Sequence, residues 1–200
     1  MIPAYNEQEN IERVVDDLIQ NYPQYDYLVV NDGSKDRTAA ICREKGYHFL
    51  DLPVNLGLAG AFQAGLRYAD RMDYDMAIQF DGDGQHDPQY IEAMAAKMEE
   101  EALDVVIGSR FRDKKKPLSL RMMGNQMIQL AIQITTGVTI KDPTSGMRMF
   151  NRSMIREFAH NLNYGPEPDT ISFLIKKGCK VSEVQVSMNE RETGESYLNV

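Results

Sequence analysis

The sequence has few of the residues that build disulfide frameworks, zinc sites and catalytic triads. It contains 2 cysteines, Cys42 and Cys179, and 3 histidines among 200 residues. The cysteines lie far apart and have no metal-ligand spacing around them, which favours a reduced, intracellular protein. No histidine or cysteine stands in a recognisable nucleophile–base arrangement, so triad-type catalysis has no support here.

Long apolar runs and an excess of positive charge are also missing. No run reaches about 18 apolar residues, so the sequence predicts no membrane span. The first residues lack the basic start and apolar core of a signal peptide. We also expect the full protein to extend beyond both ends of this sequence. The 30 acidic and 22 basic residues give a net charge of −8. That balance argues against nucleic acid as a partner but not against one small anion, because a divalent cation supplies positive charge locally.

Apolar runs alternate with amphipathic stretches through the first half, which predicts βαβ units around a mostly parallel sheet. With no linker or repeat, we predict one α/β domain over residues 1–200, with a Rossmann-like central sheet flanked by helices. We expect residues 1–108 to bind a nucleotide and residues 109–200 to bind the second substrate, which is called the acceptor below. Asn6 and Glu9 have capping-box spacing for a first helix, and Ser34 is the expected cap of a second helix ending near Gly46.

Polar clusters follow three of the predicted strands, at residues 3–7, 31–34 and 81–83. Ligands of open α/β sheets bind outside the carboxyl ends of the strands, so we expect these clusters to face one crevice. The Asp81–Gly82–Asp83 turn carries two carboxylates that can reach one hard cation. A solvated acidic turn is the alternative. A calcium EF-hand is excluded, because His86 stands where that loop requires glycine and a strand precedes it.

Glycine-rich phosphate loops are not supported. Gly57–Gly60 is not a dinucleotide fingerprint, because Ala59 occupies a position that requires glycine. Gly60 and Gly65 have P-loop spacing, but Leu66 and Arg67 follow instead of Lys and Ser or Thr. Rossmann dehydrogenases and P-loop kinases therefore lose their main signals.

Several motifs together resemble family 2 glycosyltransferases, and most closely their dolichyl- or polyprenyl-phosphate sugar synthase branch. Arg191–Ser196 is similar to the R-x-x-G-x-S ending of that branch. Asn31 departs from the pattern, because many members have a second Asp there. The motifs occur in the family's order and are Pro3–Glu7, Asn31–Ser34, Asn55–Gly57, Asp81–Gln85, Gly108–Arg110 and Asp142–Gly146.

The resemblance implies a GT-A fold, a nucleoside-diphosphate sugar donor and Mg²⁺ or Mn²⁺. Asp32 would accept a hydrogen bond from the base or ribose, and Asp81 would approach both ribose and metal. The metal ligands implied are Asp81, Asp83 and Gln85. The donor-binding residues implied are Pro3, Tyr5, Glu7, Asp32, Gly57 and Asp81.

On the acceptor side, Arg110, Arg121 and Asp142 are the implied catalytic residues. Arginine can bind phosphate in a bidentate way, which suits Arg110. Asp142 would act as general base toward a hydroxyl, or orient a lipid phosphate that is already ionised. Glu167 matches another acceptor-side position. Lys114–Lys116 is either a solvated loop or, with the Met- and Ile-rich helix predicted at 118–135, a contact for an anionic membrane surface. We expect the apolar face of that helix to pack in the core.

The resulting hypothesis is inverting transfer of a sugar onto a polyprenyl phosphate at the cytoplasmic membrane face. Transfer onto a saccharide hydroxyl is the alternative within the class, and a catalytically silent nucleotide-sugar-binding domain is the alternative outside it. A sugar nucleotidyltransferase would carry a Gly-rich, basic phosphate loop near the start, and Pro3–Glu7 does not resemble one.

Overall fold

The computed structural model describes residues 1–113, 120–161 and 165–188. Within these ranges the strands are β1 Ile2–Ala4, β2 Val29–Asn31, β3 Phe49–Asp51, β4 Met76–Gln79, β5 Val105–Ser109, β6 Arg148–Asn151 and β7 Val181–Gln185. The α-helices are α1 Ile11–Asn21, α2 Thr38–Lys45, α3 Gly57–Arg71, α4 Ile91–Glu100, α5 Leu120–Thr136, α6 Arg152–His160 and α7 Pro168–Lys176. A 3₁₀ turn, Pro88–Tyr90, leads into α4.

The strands form two sheets, in the orders β1-β2-β3 and β4-β6-β5-β7. Pairing is parallel throughout the first sheet and between β5 and β7, whereas β6 is antiparallel to β4 and β5. The Met1 amine donates to the Ile78 carbonyl at 2.8 Å and the Phe80 N–H donates to the Met1 carbonyl at 3.0 Å, which joins the sheets. The predicted mostly parallel α/β sheet is confirmed, and β1, β2, β4 and β5 end at one edge.

Helices cover both faces of the two joined sheets. Along a strand, side chains alternate between faces: Val106 packs in one core with residues of α1 and α4, whereas Val105 and Ile107 pack in another. In the second core the rings of Phe62, Phe150 and Phe158 make edge-to-face contacts with centroids 5.2–5.4 Å apart. Burial on both faces fixes the strand ends and therefore the loops that follow them.

The loops that follow β1 and β2 bind each other, and the side chains expected to cap α1 and α2 are used for this contact. The predicted Asn6–Glu9 capping box is wrong: Asn6 has a φ of 55°, and its Oδ1 accepts from the Lys35 N–H at 2.9 Å. Ser34 does not cap α2, because its Oγ accepts from the Asn6 N–H at 3.0 Å. These reciprocal bonds hold the two motif loops together. Gly46 ends α2 with a φ of 67°, in the left-handed conformation that favours glycine.

Helix α5 divides its apolar residues between the core and the surface. Ile132 is buried in the core that contains Phe62. The expectation of core packing is wrong for Met127, Leu130 and Ile134, which are exposed. In the ranges described, no helix combines the length and the apolar character needed to cross a membrane.

Candidate active site

The ends of β1, β2 and β4 and the first turn of α3 surround a cleft of about 110 Å³. The three polar clusters predicted to converge do so here. The sequence-predicted residues Gly57 and Gln85 are not among those that line the cleft. Its lining consists of Pro3, Ala4, Tyr5, Glu7, Asp32, Leu58, Ala61, Asp81, Gly82 and Asp83. A larger, mainly apolar cavity of about 370 Å³ lies around Met1 and Tyr74 at the amino ends of the strands, away from these carboxylates.

Two buried carboxylates of the cleft are oriented by neighbouring backbone and side-chain groups. Asp32 Oδ1 accepts from the Leu56 N–H at 2.7 Å, which ties the β2 loop to the start of α3. Glu7 Oε2 accepts from Asn10 Nδ2 at 2.8 Å, and the Glu7 N–H donates to Thr38 Oγ1 at 2.9 Å. Both side chains therefore sit in fixed positions at the cleft.

The departure at Asn31 has a structural reason. Parallel pairing aligns Ala4, Asn31 and Asp51 across the first sheet. Asn31 is buried, and its Nδ2 donates to Asp51 Oδ1 at 2.6 Å. Arg43 also pairs with Asp51. An aspartate at position 31 would bring two carboxylates into contact, so the amide and Asp51 fit as a pair.

This pairing predicts that Asn31→Asp lowers the free energy of unfolding by about 2–4 kcal/mol at pH 7, because a like charge would be buried beside Asp51. Chemical denaturation measures the loss. The deficit should shrink as the pH falls toward about 4, where protonation of one carboxyl removes the repulsion. Adding Asp51→Asn should recover part of the loss. A single variant as stable as the parent at pH 7 would show that the contact is unimportant.

The acidic turn after β4 is held from two directions. His86 Nδ1 accepts from the Asp81 N–H at 2.9 Å, so its proton is on Nε2, which lies 3.6 Å from Asp81 Oδ2. Gln79 Nε2 lies 3.4 Å from Asp81 Oδ1. Asp83 Oδ1 accepts from the Gln85 N–H at 3.0 Å, which closes the turn. The two carboxylates of the D-x-D sequence are thereby placed at the cleft.

The Asp142–Gly146 loop approaches this turn at a glycine. A Cβ at Gly146 would lie 2.6 Å from Asp81 Oδ2, closer than real Cβ atoms come to such a neighbour. Only glycine at position 146 leaves the Asp81 carboxylate undisturbed. The Asp142–Gly146 loop and the acidic turn are therefore in direct contact, although about 60 residues separate them along the chain.

The carboxylate oxygens at the cleft suit a hard divalent cation that keeps some of its coordination positions free for other ligands. Asp81 and Asp83 offer carboxylate oxygens, and the Asp81 side chain is 37% exposed. In the described part of the chain, no three His, Cys, Asp or Glu side chains gather into a closed cage. Mg²⁺ is typically held by one or two carboxylates together with substrate phosphates and water. The pair therefore fits a cation whose remaining ligands come from a diphosphate.

Arg110 and Asp142, both predicted from the sequence, form one unit. Asp142 has 0% exposure. Its Oδ2 accepts from Arg110 Nε and its Oδ1 from Arg110 Nη2, each at 2.7 Å, in a bidentate pair. The Arg110 N–H adds a bond of 3.0 Å to Oδ2. Asn125 Nδ2 on α5 approaches Oδ1 at 3.3 Å and Thr144 Oγ1 at 2.7 Å. Both oxygens of the proposed general base are thus already occupied by a cation.

Two charged residues that the sequence analysis did not single out hold the loop that carries Asp142. Glu183, buried on β7, accepts the Asp142 N–H at 2.7 Å and the Lys141 N–H at 2.8 Å. Arg148, buried on β6, donates to the carbonyls of Pro143 at 2.8 Å and Ser145 at 2.9 Å. A signal existed for Arg148, because a charged residue stands inside the apolar run Met147–Phe150.

Arg148 also bears on the charge of the site. Burial lowers the pKa of its guanidinium to about 10, although nearby Glu167, Asp81, Asp142 and Asp169 oppose that shift. It therefore remains a cation at neutral pH beneath an acidic site. Its Nη1 lies 3.4 Å from the Glu167 carbonyl, which ties the start of α7 to the same loop. The Arg121 side chain, Lys114–Lys116 and Arg191–Ser196 lie outside what the structure describes.

Comparison with known proteins identifies relatives of the chain. Residues 1–158 match the family model described as Glycosyl transferase family 2. The chain is 29% identical over 212 residues to undecaprenyl-phosphate mannosyltransferase of Micrococcus luteus, covering 100% of this chain and 86% of that protein. It is 29% identical over 213 residues to polyprenol monophosphomannose synthase of Mycolicibacterium smegmatis, covering 100% and 80%.

A solved structure supports the fold. Glucosyl-3-phosphoglycerate synthase from Mycobacterium tuberculosis, in complex with Mn²⁺, uridine diphosphate and glucosyl-3-phosphoglycerate, superposes with a TM-score of 0.65 at 19% identity. The alignment covers 96% of this chain and 71% of that one. The GT-A fold expected from the sequence is confirmed. With the family model matched over residues 1–158, the chain belongs to glycosyl transferase family 2.

Proposed function

We propose that the chain transfers a sugar from a nucleoside-diphosphate sugar to a polyprenyl phosphate, with inversion and with Mg²⁺ or Mn²⁺. The observation that carries the proposal is the contact between the Asp81–Asp83 turn and the loop of the Arg110–Asp142 pair. The two similar proteins named above act on polyprenyl phosphates by their names. Residues 1–108 would bind the donor and residues 109–200 the acceptor.

On the donor side, Asp32 would accept a hydrogen bond from the base or ribose, in a cleft that Pro3, Tyr5 and Glu7 also line. Asp81 and Asp83, with Gln85, would hold the cation against the diphosphate. When bound, a divalent cation stabilises the charge that develops on the leaving nucleoside diphosphate. The buried guanidinium of Arg148 reduces the negative potential that this acidic site presents to an anionic donor.

On the acceptor side, the pairing of Asp142 favours a phosphate over a hydroxyl. A hydroxyl needs a general base at the attacking oxygen, and both Asp142 oxygens are engaged by Arg110. A phosphate monoester is largely ionised at neutral pH, with a second pKa of about 6, and needs no base. Its oxygen would attack the anomeric carbon while the bond to the diphosphate breaks, and Arg110, held by Asp142, would orient it.

A polyprenyl phosphate lies in a membrane, so this acceptor places the reaction at a membrane surface. We propose the cytoplasmic face, where free thiols such as Cys42 and Cys179 persist. Arg110, Arg112 and Lys141 lie together near the acceptor side, because Lys141 Nζ donates to the Arg112 carbonyl at 2.7 Å. Positive charge at that position would suit both an acceptor phosphate and anionic lipid.

A nucleoside-diphosphate release assay tests the proposal. UDP- and GDP-sugars would be supplied in turn, with and without Mn²⁺, and with either a polyprenyl phosphate or a saccharide as acceptor. We expect release with one donor only when both the metal and the polyprenyl phosphate are present. Release with the saccharide alone would favour transfer to a hydroxyl. Donor binding without release under any acceptor would identify a silent binding domain.

A further inference from the structure

One face of α5 is apolar, uncharged and exposed. Met123, Met127, Leu130 and Ile134 are 58%, 73%, 56% and 74% exposed. Their spacing of four, three and four residues places them within about 60° of one another on a helix of 3.6 residues per turn. We name these four residues the α5 stripe. Exposed apolar side chains occur singly on most surfaces, but an aligned row of this kind indicates an interaction site.

The stripe points directly away from the core. Asn125 and Ile132 are both buried on the opposite side of the helix. Ile132 packs in the second core, and Asn125 contacts Asp142. A helix with its side chains is about 10 Å across. The stripe therefore lies within roughly one helix diameter of the Arg110–Asp142 pair.

The surroundings of the stripe show which partner fits it. No Asp, Glu, Lys, Arg or His occurs from Met122 to Ile140, in a chain of which 26% is charged. Lys141, which follows this segment, is exposed, and its Nζ donates to the carbonyl of Arg112, so two basic residues lie together near the end of the segment. An apolar helix face with basic residues nearby is typical of helices that lie in the interface of an anionic bilayer. A second copy fits less well, because a two-fold contact would bring the same basic residues of both copies together.

We propose that the α5 stripe inserts into the surface of an anionic bilayer and sets the height of the active site above it. The inference rests on the proposed function, because the membrane contact would serve to bring a lipid-linked acceptor to Arg110. It goes further in naming the helix face that makes the contact. The stripe and the site then occupy opposite sides of one helix, so binding the membrane brings the site to headgroup depth.

The chain has 0 tryptophans, so one introduced tryptophan reports on its own surroundings. We expect Met127→Trp to show blue-shifted emission, and quenching by brominated lipids, with vesicles of phosphatidylcholine and phosphatidylglycerol. Ile19→Trp, on an exposed position of α1, is the matched control and should show neither. Identical responses from the two variants would overturn the proposal. A blue shift without vesicles that grows with protein concentration would also overturn it, since a second copy would then cover the stripe.

Vesicle co-sedimentation gives an independent measure. Met127→Gln combined with Ile134→Gln should weaken partitioning onto the same vesicles about tenfold, because two apolar side chains no longer enter the interface. Ile19→Gln combined with Met72→Gln removes exposed apolar side chains elsewhere and should bind as the parent does. Equal binding by all three proteins would refute the assignment.

Activity separates failure of this inference from failure of the proposed function. We expect the Met127→Gln/Ile134→Gln variant to keep full transfer to a water-soluble, short-chain isoprenyl phosphate and to lose transfer to polyprenyl phosphate in vesicles. Loss with both acceptors would mean that the stripe supports the site itself, against the proposal. If the parent protein transfers to neither acceptor, the proposed function fails, while the fluorescence result still decides the membrane contact.

Discussion

Replacing Asp83 with alanine is expected to abolish metal-dependent binding of the donor and to lower turnover by about 10²–10³-fold. The reason is the position of its carboxylate beside Asp81, at the mouth of a cleft that also contains Asp32. One or two carboxylates, together with water, typically hold a hard cation against phosphate oxygens. Calorimetric titration of a UDP- or GDP-sugar, with and without Mn²⁺, measures the loss.

The local structure supplies a control for this experiment. Asp83 Oδ1 also accepts the Gln85 N–H at 3.0 Å, so alanine removes a turn bond as well as a charge. Asp83→Asn keeps an oxygen for that bond and removes only the charge. If cation binding is the role, both variants lose the Mn²⁺ effect equally. If only the alanine variant loses it, the turn is what matters, and a titration of Asp83→Ala that matches the parent would rule the metal role out.

Much of the fold could be predicted because its signals are local. Each parallel strand is an apolar run that ends at polar residues, and Gly46 and Pro88 stand where helix ends and starts require them. The meeting of the three polar clusters follows from the geometry of parallel sheets alone. The helix caps were mispredicted because Asn6 and Ser34 bind across loops about thirty positions apart, and no local pattern records such a partner.

The parts of the site that could not be predicted depend on tertiary contacts. Asp142 was expected to be available to an acceptor, yet its carboxylate is fully occupied by Arg110. Glu183 lies on β7. The pattern of side chains along this strand does not indicate that the Glu183 carboxylate accepts from the backbone N–H groups of residues 141 and 142. Met127 and Ile132 both read as core residues, and only the packing of α5 decides which of them is exposed.

Replacing Asp142 with asparagine is expected to reduce turnover by about 10²–10³-fold, because Arg110 loses the charge that positions it, while donor affinity stays unchanged. In the structure the buried carboxylate binds Arg110 through two bonds of 2.7 Å, and asparagine cannot hold a guanidinium by charge. Asp104→Asn is a structural control: its carboxylate also accepts hydrogen bonds, from Asn151 and Lys180, but outside the cleft. A loss of donor affinity in Asp142→Asn would move Asp142 to the nucleotide side and refute the division near residue 108.

The same variant separates a general base from a residue that positions Arg110. If Asp142 positions Arg110, Arg110→Lys should cost a similar factor, and the double variant should cost little more than either single one. The rise in rate with pH should then survive in Asp142→Asn, because the group that ionises is the acceptor phosphate, with a second pKa of about 6. A base would give the opposite result, since the rise would disappear with the carboxylate. Because Arg110 already occupies both Asp142 oxygens, we expect the rise to persist, with the whole profile displaced to lower rate.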